Sequence, residues 1–452
     1  MSLRFKHFIH DEDKKLAKDQ IIKIKDLKVN FKVKDGLLQA VRGVDISVYK
    51  GQIIGIVGES GSGKSVCVKS LIGFNDGAST EAENLNLAGI DILKVKRKTW
   101  PSIRGTYVAY IPQDPLMSLN PTKTIGKQVL EAIYVSEKSR YNQIKNNKWN
   151  EIDQEKWLFE NVKNNLKKDL ESSKITQEKY QELLANAEKN HLEIIDNLTK
   201  KHDELIAKAK EEYKNNTKRV NAKNKVVEIL KFIGIENVES RLKSYPHEFS
   251  GGMRQRIVIA IAVATKPDII IADEPTTALD VTVQAKVLSL IKQLREVYGI
   301  TVIFISHNIA LVANFCDYIY VMYAGKIVEQ GLTEEIFTNP LHPYTWALLA
   351  SIPDSNVDNQ KLEPIAGTPP NLITPPKGDA FAPRNKYAIA LDFEKQPPLF
   401  EVSDTHKAAT WLLHPKAPKI ELPDEVKEKI SKSKKSFEIY VKQKKNKKEL
   451  EK

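Results

Sequence analysis

At 452 residues the chain is about three times a ~150-residue domain, so it can bury a sizeable core and is expected to hold more than one domain. A mean hydropathy of -0.39 and a longest apolar run of only Ile257 to Thr265 exclude a membrane-spanning helix of ~20 residues, and Met1 to Lys15 shows no secretory signal, which predicts a cytoplasmic protein. The net charge of +12 favours an anionic partner, but half of it lies in residues 425–452, with eleven Lys against five Glu, and only 11 of the 70 basic residues are Arg, so no direct nucleic acid binding is expected.

In chain order, an N-terminal extension (1–20) precedes runs that predict strands over 21–33, 41–48 and 53–57. The last of these leads into Gly58-Glu59-Ser60-Gly61-Ser62-Gly63-Lys64-Ser65 and, through Val66, into an apolar helix over 64–72. Strand, glycine-rich loop, Lys-Ser and helix together make a phosphate-binding P-loop. The glycines let the backbone curl so that successive amides face phosphate oxygens, and the helix N-terminus adds its partial positive charge. Lys64 is expected to reach the β- and γ-phosphates of ATP, and the Ser65 hydroxyl to hold Mg²⁺.

A further strand is predicted over 107–111. From Lys127 to Ile233 there is then neither Gly nor Pro, and 136–224 holds 35 charged residues in 89. Tyr180, Leu184, Ala187, Ile194, Leu198 and Leu205 fall on one helical stripe, interrupted by His191 and Lys201. An inserted helical hairpin is predicted, a partner-docking arm being the alternative. Phe249-Ser250-Gly251-Gly252-Met253 opens a helix over 251–265, and a serine N-cap there leaves amides and a hydroxyl for an anion.

The apolar strand 269–272 delivers Asp273 and Glu274 to the carboxyl edge of the sheet, Asp273 for the Mg²⁺ shell and Glu274 to accept a proton from the attacking water. A helix over 282–297 and a strand over 302–305 follow, ending near His307. Continuous Ile/Val strands alternating with helices predict an α/β fold with a mostly parallel sheet covered on both faces. Cys67 and Cys316 are too few for a disulfide framework and read as small buried hydrophobes. Beyond Pro340, prolines from Pro364 to Pro398 predict a loop-rich accessory domain over 339–424, before a Lys-rich tail, 425–452, read as a solvated or frayed helix.

The Ser250-Gly251-Gly252 segment, about 20 residues ahead of the Asp-Glu strand, resembles the signature motif of ATP-binding cassette (ABC) ATPases, with Phe249 and Met253 replacing its first and last residues. That resemblance implies further roles. Gln113, in Tyr110-Ile-Pro-Gln113-Asp, resembles the Q-loop glutamine that meets Mg²⁺ and water; Ala278-Leu279-Asp280 resembles the D-loop; His307 resembles the switch histidine at the γ-phosphate. Phe31 resembles the adenine-stacking aromatic, a core phenylalanine being the alternative.

Ser250 to Arg256, Ala272 to Ala285 and Asn339 to Leu348 are similar to the OppD/DppD-like ATPases of dipeptide and oligopeptide importers. The resemblance implies a RecA-like core with a helical lobe, split into 21–135 and 225–338 around the 136–224 insert. It also implies an ATP-hydrolysing subunit at the cytoplasmic face of the membrane. Its partners would be a second ATPase subunit of OppF-like kind, two transmembrane permease subunits and an extracellular peptide-binding lipoprotein. ATP would be sandwiched between the two ATPases, with Ser250 to Gly252 serving the neighbour's nucleotide.

Many members of that family carry four cysteines in the C-terminal domain, understood to hold an iron-sulfur cluster. Here those slots read Asp379, Asn385, Asp392 and Thr410; thiolates are the required ligands, so no cluster is expected. Packing by Phe381, Tyr387, Phe393 and Trp411 is expected to hold the domain instead. Three other readings compete. A DNA-maintenance ABC ATPase suits the basic charge, but 89 inserted residues give helices of only about 60 Å, short for that class. A P-loop kinase or adaptor leaves Ser250 to Met253 and His307 unexplained. An importer ATPase for nickel or another small solute is the third.

Overall fold

The computed structural model describes residues 19–277, 279–352, 365–435 and 437. Contacts divide the chain into two units, one of 1–118, 250–258 and 267–452, the other of 119–249 and 259–266. Among the described residues no helix is long and apolar enough to cross a membrane.

In the first unit, β1 (Gln20–Val33) and β2 (Gly36–Tyr49) pair antiparallel around a two-residue turn, Val33 opposite Gly36. Alternation in β1 turns Ile22, Ile24, Leu27 and Val29 into the core. The three-residue step from Ile24 to Leu27 stays in phase because Asp26 bulges out at φ 48°, its amide donating to Asp45 Oδ1 at 2.7 Å. After β3 (Ile53–Val57) and helix α1 (Lys64–Ser70), the short strands β4 (Ala78–Glu81), β5 (Asn84–Leu87) and β6 (Ile90–Asp91) return to this sheet, whose order is β2-β1-β5-β6 with β4 also on β1. This all-antiparallel sheet is additional to the expected parallel one. Its last three strands are too short to leave a period in the sequence.

The larger sheet has the order β12-β13-β11-β10-β3-β9-β8-β7. Its centre is parallel: β7 (Val108–Ile111), β8 (Ile269–Asp273), β9 (Thr301–Ser306), β3 and β10 (Tyr318–Tyr323). Every residue of β3, β8 and β9 is buried, which is why these strands read as unbroken apolar runs rather than alternating ones. Full burial of each such Ile or Val contributes about 1.5–3 kcal/mol. Register brings Val57 opposite Ser306 and Asp273 opposite Ile305, so the carboxyl ends of the three strands share one edge, where α/β sheets bind ligands.

An antiparallel margin follows, of β11 (Lys326–Leu332), β12 (Phe400–Glu401) and β13 (Lys407–Ala408). Glu329 of β11 is fully buried, and it is satisfied. Its carboxylate accepts from the amides of Leu341 (2.8 Å) and His342 (2.9 Å) and meets His406 Nε2 at 2.8 Å. One side chain thus ties the loop before β13 to the start of the helix Pro343–Ala350.

In the C-terminal segment each residue in the four slots expected to lack thiolates holds an amide of its own loop. Asp379 accepts from Phe381, Asn385 from Tyr387, Asp392 from Ile389 and Thr410 from Leu412. Phe381 is buried among Tyr323, Tyr344 and His342, and Tyr387 meets the ring of Trp346. Phe393 departs from expectation. It is 56% exposed and packs no core, because the short helix Ala390–Glu394 turns Asp392 inward instead. The start of the tail also differs from a solvated helix, since Val426 and Ile430 are buried against Trp346. Residue 436 and residues 438–452 of the tail, the extension over 1–18, Pro364 and Ala278 lie outside the described residues.

Burial pushes the Asp379 carboxyl up from 3.8 to about 6, with the Asp392 charge adding to it, while His342 Nε2, 4.0 Å away, belongs to an imidazole that burial pushes down to about 3. A carboxyl raised by folding stabilises the folded chain below its unfolded value, and that stabilisation is lost as pH rises through about 6. Asp379→Asn mimics the protonated form. It should therefore be the more stable protein at pH 7.5, by roughly 2–3 kcal/mol, and the gap should close as pH falls through 6 toward 4 in urea unfolding followed at each pH.

In the second unit two long helices, α2 (Ile125–Glu171) and α3 (Gln177–Thr217), pack against each other. At 1.5 Å per residue the 47 residues of α2 span about 70 Å. Ile194 and Leu205, two members of the expected stripe, are exposed. His191 and His202 take part in the contact instead: His191 stacks on Phe159 at 4.4 Å and meets Glu155 at 3.1 Å, and His202 Nε2 lies 3.0 Å from Glu151. Stepping from Leu184 and Ala187 through His191 to Ile195, Leu198 and His202 keeps the three- and four-residue rhythm, and the histidines belong to that seam rather than interrupting it. At the base, Ser136 Oγ and Arg140 donate to the Thr265 carbonyl.

Candidate nucleotide site

The loop after β3 is shaped by contacts that only glycine permits. Gly63 sits at φ 96°, and a Cβ there would lie 2.4 Å from the Ala40 carbonyl oxygen. Lys64 is buried and folds back over the loop, donating to the carbonyls of Gly58 and Glu59, both at 2.8 Å. Burial lowers its ammonium pKa, opposed by the charges of Glu274, Asp273 and Glu59. Ser62 is buried, its carbonyl accepting from Gly325, whereas Ser60 and Gly61 are exposed at the rim. Val66 packs on the core.

Asp273, at the end of β8, is buried. Its Oδ1 accepts from Ser65 Oγ at 2.6 Å and its Oδ2 from the Tyr110 hydroxyl at 2.6 Å, with Lys69 Nζ 3.7 Å away. Burial and the Asp273 carboxylate push the Tyr110 hydroxyl well up, so it stays a donor.

Glu274 follows in a left-handed conformation, φ 47°, unusual for a residue with a side chain and frequent at functional sites. Its amide donates to the Ile305 carbonyl at 3.1 Å. Three groups then converge on Glu274 Oε2: Gln113 Nε2 at 3.3 Å, Thr277 Oγ1 at 3.0 Å and His307 Nδ1 at 3.0 Å. β7, β8 and β9 each deliver one of the residues expected from the sequence to this point, and Thr277 joins from the turn after β8.

Other expected residues stand apart from this cluster. Ser250 caps the helix Gly251–Ala264, its hydroxyl 3.4 Å from the Met253 amide. Gly251 is open around its Cα, while a Cβ on Gly252 would meet Val283 Cγ1 at 2.3 Å. Asp280 caps the helix Val281–Tyr298 by accepting from the Val283 amide. Phe31 is partly buried against the core beneath β1.

Lys69, Thr277, Tyr323, Tyr344 and Arg384 are not among the residues expected from the sequence, and Tyr110 has no task assigned there. Lys69 stands four residues after Ser65 on α1, a spacing that puts both on one face and could have marked it. Arg384 and Tyr344 reach Glu59 from more than 280 residues away, for which the sequence offers no local sign.

Residues 41–277 match the family model described as ABC transporter, a span that contains Ser65, Gln113, Asp273, Glu274 and Thr277 and ends before His307. The chain belongs to the ABC transporter family. Residues 328–390 further match the family model of the oligopeptide/dipeptide transporter C-terminal region. Among curated relatives, the oligopeptide transport ATP-binding protein OppD of Mycoplasma pneumoniae is 58% identical over 97% of this chain and 94% of its own. OppD of Bacillus subtilis is 40% identical over 93% and 96%. The dipeptide transport ATP-binding protein DppD of Lactococcus lactis is 41% identical over 91% and 96%. Among solved structures, a dimeric ATP-binding cassette in a post-hydrolysis state aligns with 69% of this chain and 98% of its own, at 20% identity and a TM-score of 0.46. This ABC protein is an ATP-binding, ATP-hydrolysing transporter subunit with the α/β cassette fold.

Proposed function

We propose that this ABC ATPase drives an importer of oligopeptides or dipeptides, and that Glu274 is the base for hydrolysis. The convergence of Gln113, Thr277 and His307 on Glu274 Oε2, one residue after the Ser65–Asp273 pair, supports the chemical part. The match of 328–390 and the names of the relatives support the substrate class. In this reading Lys64 holds the β- and γ-phosphates, the loop from Gly58 to Ser65 wraps them, and Glu274 takes the proton of the attacking water. His307 and Gln113 orient that water and the γ-phosphate, and Asp280 lies at the face toward the second ATPase. Ser250 to Gly252 serve the neighbour's nucleotide.

The donor set suits Mg²⁺, which binds through one or two protein oxygens plus phosphate and water. Ser65 Oγ and Asp273 Oδ1 are already 2.6 Å apart, Gln113 bonds the adjacent Glu274, and Ser65, Asp273 and Gln113 would hold it. The ion would neutralise phosphate charge. The partners in this reading are a second ATPase of OppF-like kind, two membrane permeases and a peptide-binding lipoprotein, with the chain at the cytoplasmic face.

Uptake of a labelled oligopeptide by cells expressing the complete transporter tests the substrate: uptake lost on deleting this chain and restored by returning it supports the reading. Unchanged peptide uptake with lost nickel uptake would overturn it.

The long hairpin lies outside this chemistry, since no residue named for nucleotide handling falls within 136–224. Replacing 145–209, beyond the Tyr141–Tyr213 stack, by a short Gly/Ser linker should leave the Kd for MgATP within about twofold. Loss of MgATP binding by the folded, shortened protein would show that the hairpin belongs to the site.

A further inference from the structure

The second residue of the phosphate loop is held from outside the cassette sequence. Arg384 forks onto Glu59, with Nη1 to Oε2 at 2.6 Å and Nη2 to Oε1 at 2.9 Å. The guanidinium is itself fixed: Nε donates to the Ala366 carbonyl at 2.8 Å, Nη2 to the Ile365 carbonyl at 3.1 Å and Nη1 to the Tyr323 hydroxyl at 3.1 Å. Its side chain is 5% exposed and lies near the rings of Tyr323 and Phe381. The Glu59 amide donates to the Tyr344 hydroxyl at 2.7 Å, and the Glu59 carbonyl accepts from Lys64. Carboxylate, amide and carbonyl of one loop residue are therefore all engaged, two of them by residues of the C-terminal segment. That segment is anchored a second time where Gln39 of β2 donates to the Leu372 carbonyl at 3.0 Å.

We infer that Arg384 is a positioning residue for the phosphate loop: it fixes the loop's curvature through Glu59 and neutralises a carboxylate that would otherwise repel the nucleotide phosphates, so nucleotide binding and the order of the C-terminal segment are linked. The inference rests on the reading of 58–65 as the ATP site. A planar fork on a carboxylate fixes orientation as well as charge, which a lysine ammonium cannot do. Linkage makes the effect reciprocal: what Arg384 does for ATP affinity, bound ATP does for the segment around Arg384.

The test is a double-mutant cycle on the full chain, with equilibrium binding of MgATP as its readout. Wild-type binding checks the site itself; without it the nucleotide reading falls, and this inference with it. Arg384→Met should raise the Kd about tenfold, within the range usual for coupled sites, and Arg384→Lys should fall between it and wild type. In a Glu59→Gln background, Arg384→Met should change the Kd by no more than about twofold, because its partner carboxylate is already gone. Equal effects in both backgrounds, or a lowered melting temperature with an unchanged Kd, would reduce Arg384 to a structural residue and overturn the inference. Hydrogen exchange in the wild-type chain decides independently of how the variants fold: MgATP should slow exchange of the amides of 379–385 as well as those of the loop. Exchange of 379–385 that is indifferent to MgATP would overturn it.

Discussion

Glu274→Gln should bind MgATP normally and turn over about 10² to 10⁴ times more slowly. Glutamine keeps the length of the side chain and the backbone placement at φ 47°, but it has no carboxylate to take the proton from water. Gln113, Thr277 and His307 would still find an amide oxygen at the same place, so the substitution reads the chemistry rather than the architecture. Lys64→Ala should instead weaken binding itself, since in the proposed reading it removes the charge that holds the phosphates. In the assembled transporter the Gln variant should accumulate as an ATP-bound, closed pair with peptide uptake stopped. Because the second ATPase of the proposed transporter would carry its own site, the measurement is γ-phosphate release in a single turnover with that site disabled. Wild-type release under that condition would remove Glu274 from the reaction.

Glu329→Ala should lower the unfolding free energy by about 3–5 kcal/mol, the usual cost of removing one partner from a buried charged network. The substitution strands the amides of Leu341 and His342 and leaves His406 without its carboxylate, in a place that water does not reach. Against a typical total of about 5–15 kcal/mol that loss is a large fraction of the margin. Glu329→Gln retains one acceptor oxygen and should cost less. Denaturant midpoints for the three proteins give the comparison; an alanine variant within about 0.5 kcal/mol of wild type would show that the network is dispensable.

The part of the fold that the sequence revealed was the part with a uniform environment. β3, β8 and β9 are buried throughout, so their composition alone marks them as central parallel strands, and the motifs at their ends follow from position. The short strands β4 to β6 carry no period and were invisible. The stripe expected on α3 keeps Leu184, Ala187 and Leu198 but takes in Ile194 and Leu205, which are exposed, because hydrophobicity alone does not decide which residues enter a helix seam. His191 and His202 enter it through a ring stack and carboxylate partners, which no apolar pattern predicts. Within the site, Asp273 and Glu274 were legible because they end an apolar strand, while Gln113 and His307 were legible only through the resemblance of their segments to the ABC motifs. Arg384 and Tyr344 were not, since only the folded chain brings them to Glu59.

Both cysteines of the chain are fully buried. The Cys67 thiol on α1 is pushed up to about 12 by burial, and the Cys316 thiol is raised too, with its sulfur packed where a side chain on Gly55 would have to go. Thiolate is the species that reacts with maleimides and spin labels, and neither residue offers it. The natural chain is therefore already a silent background for site-directed labelling: a cysteine placed on the exposed face of the long hairpin or beside Arg384 would be the reactive one, and distances could be followed without first removing the native pair.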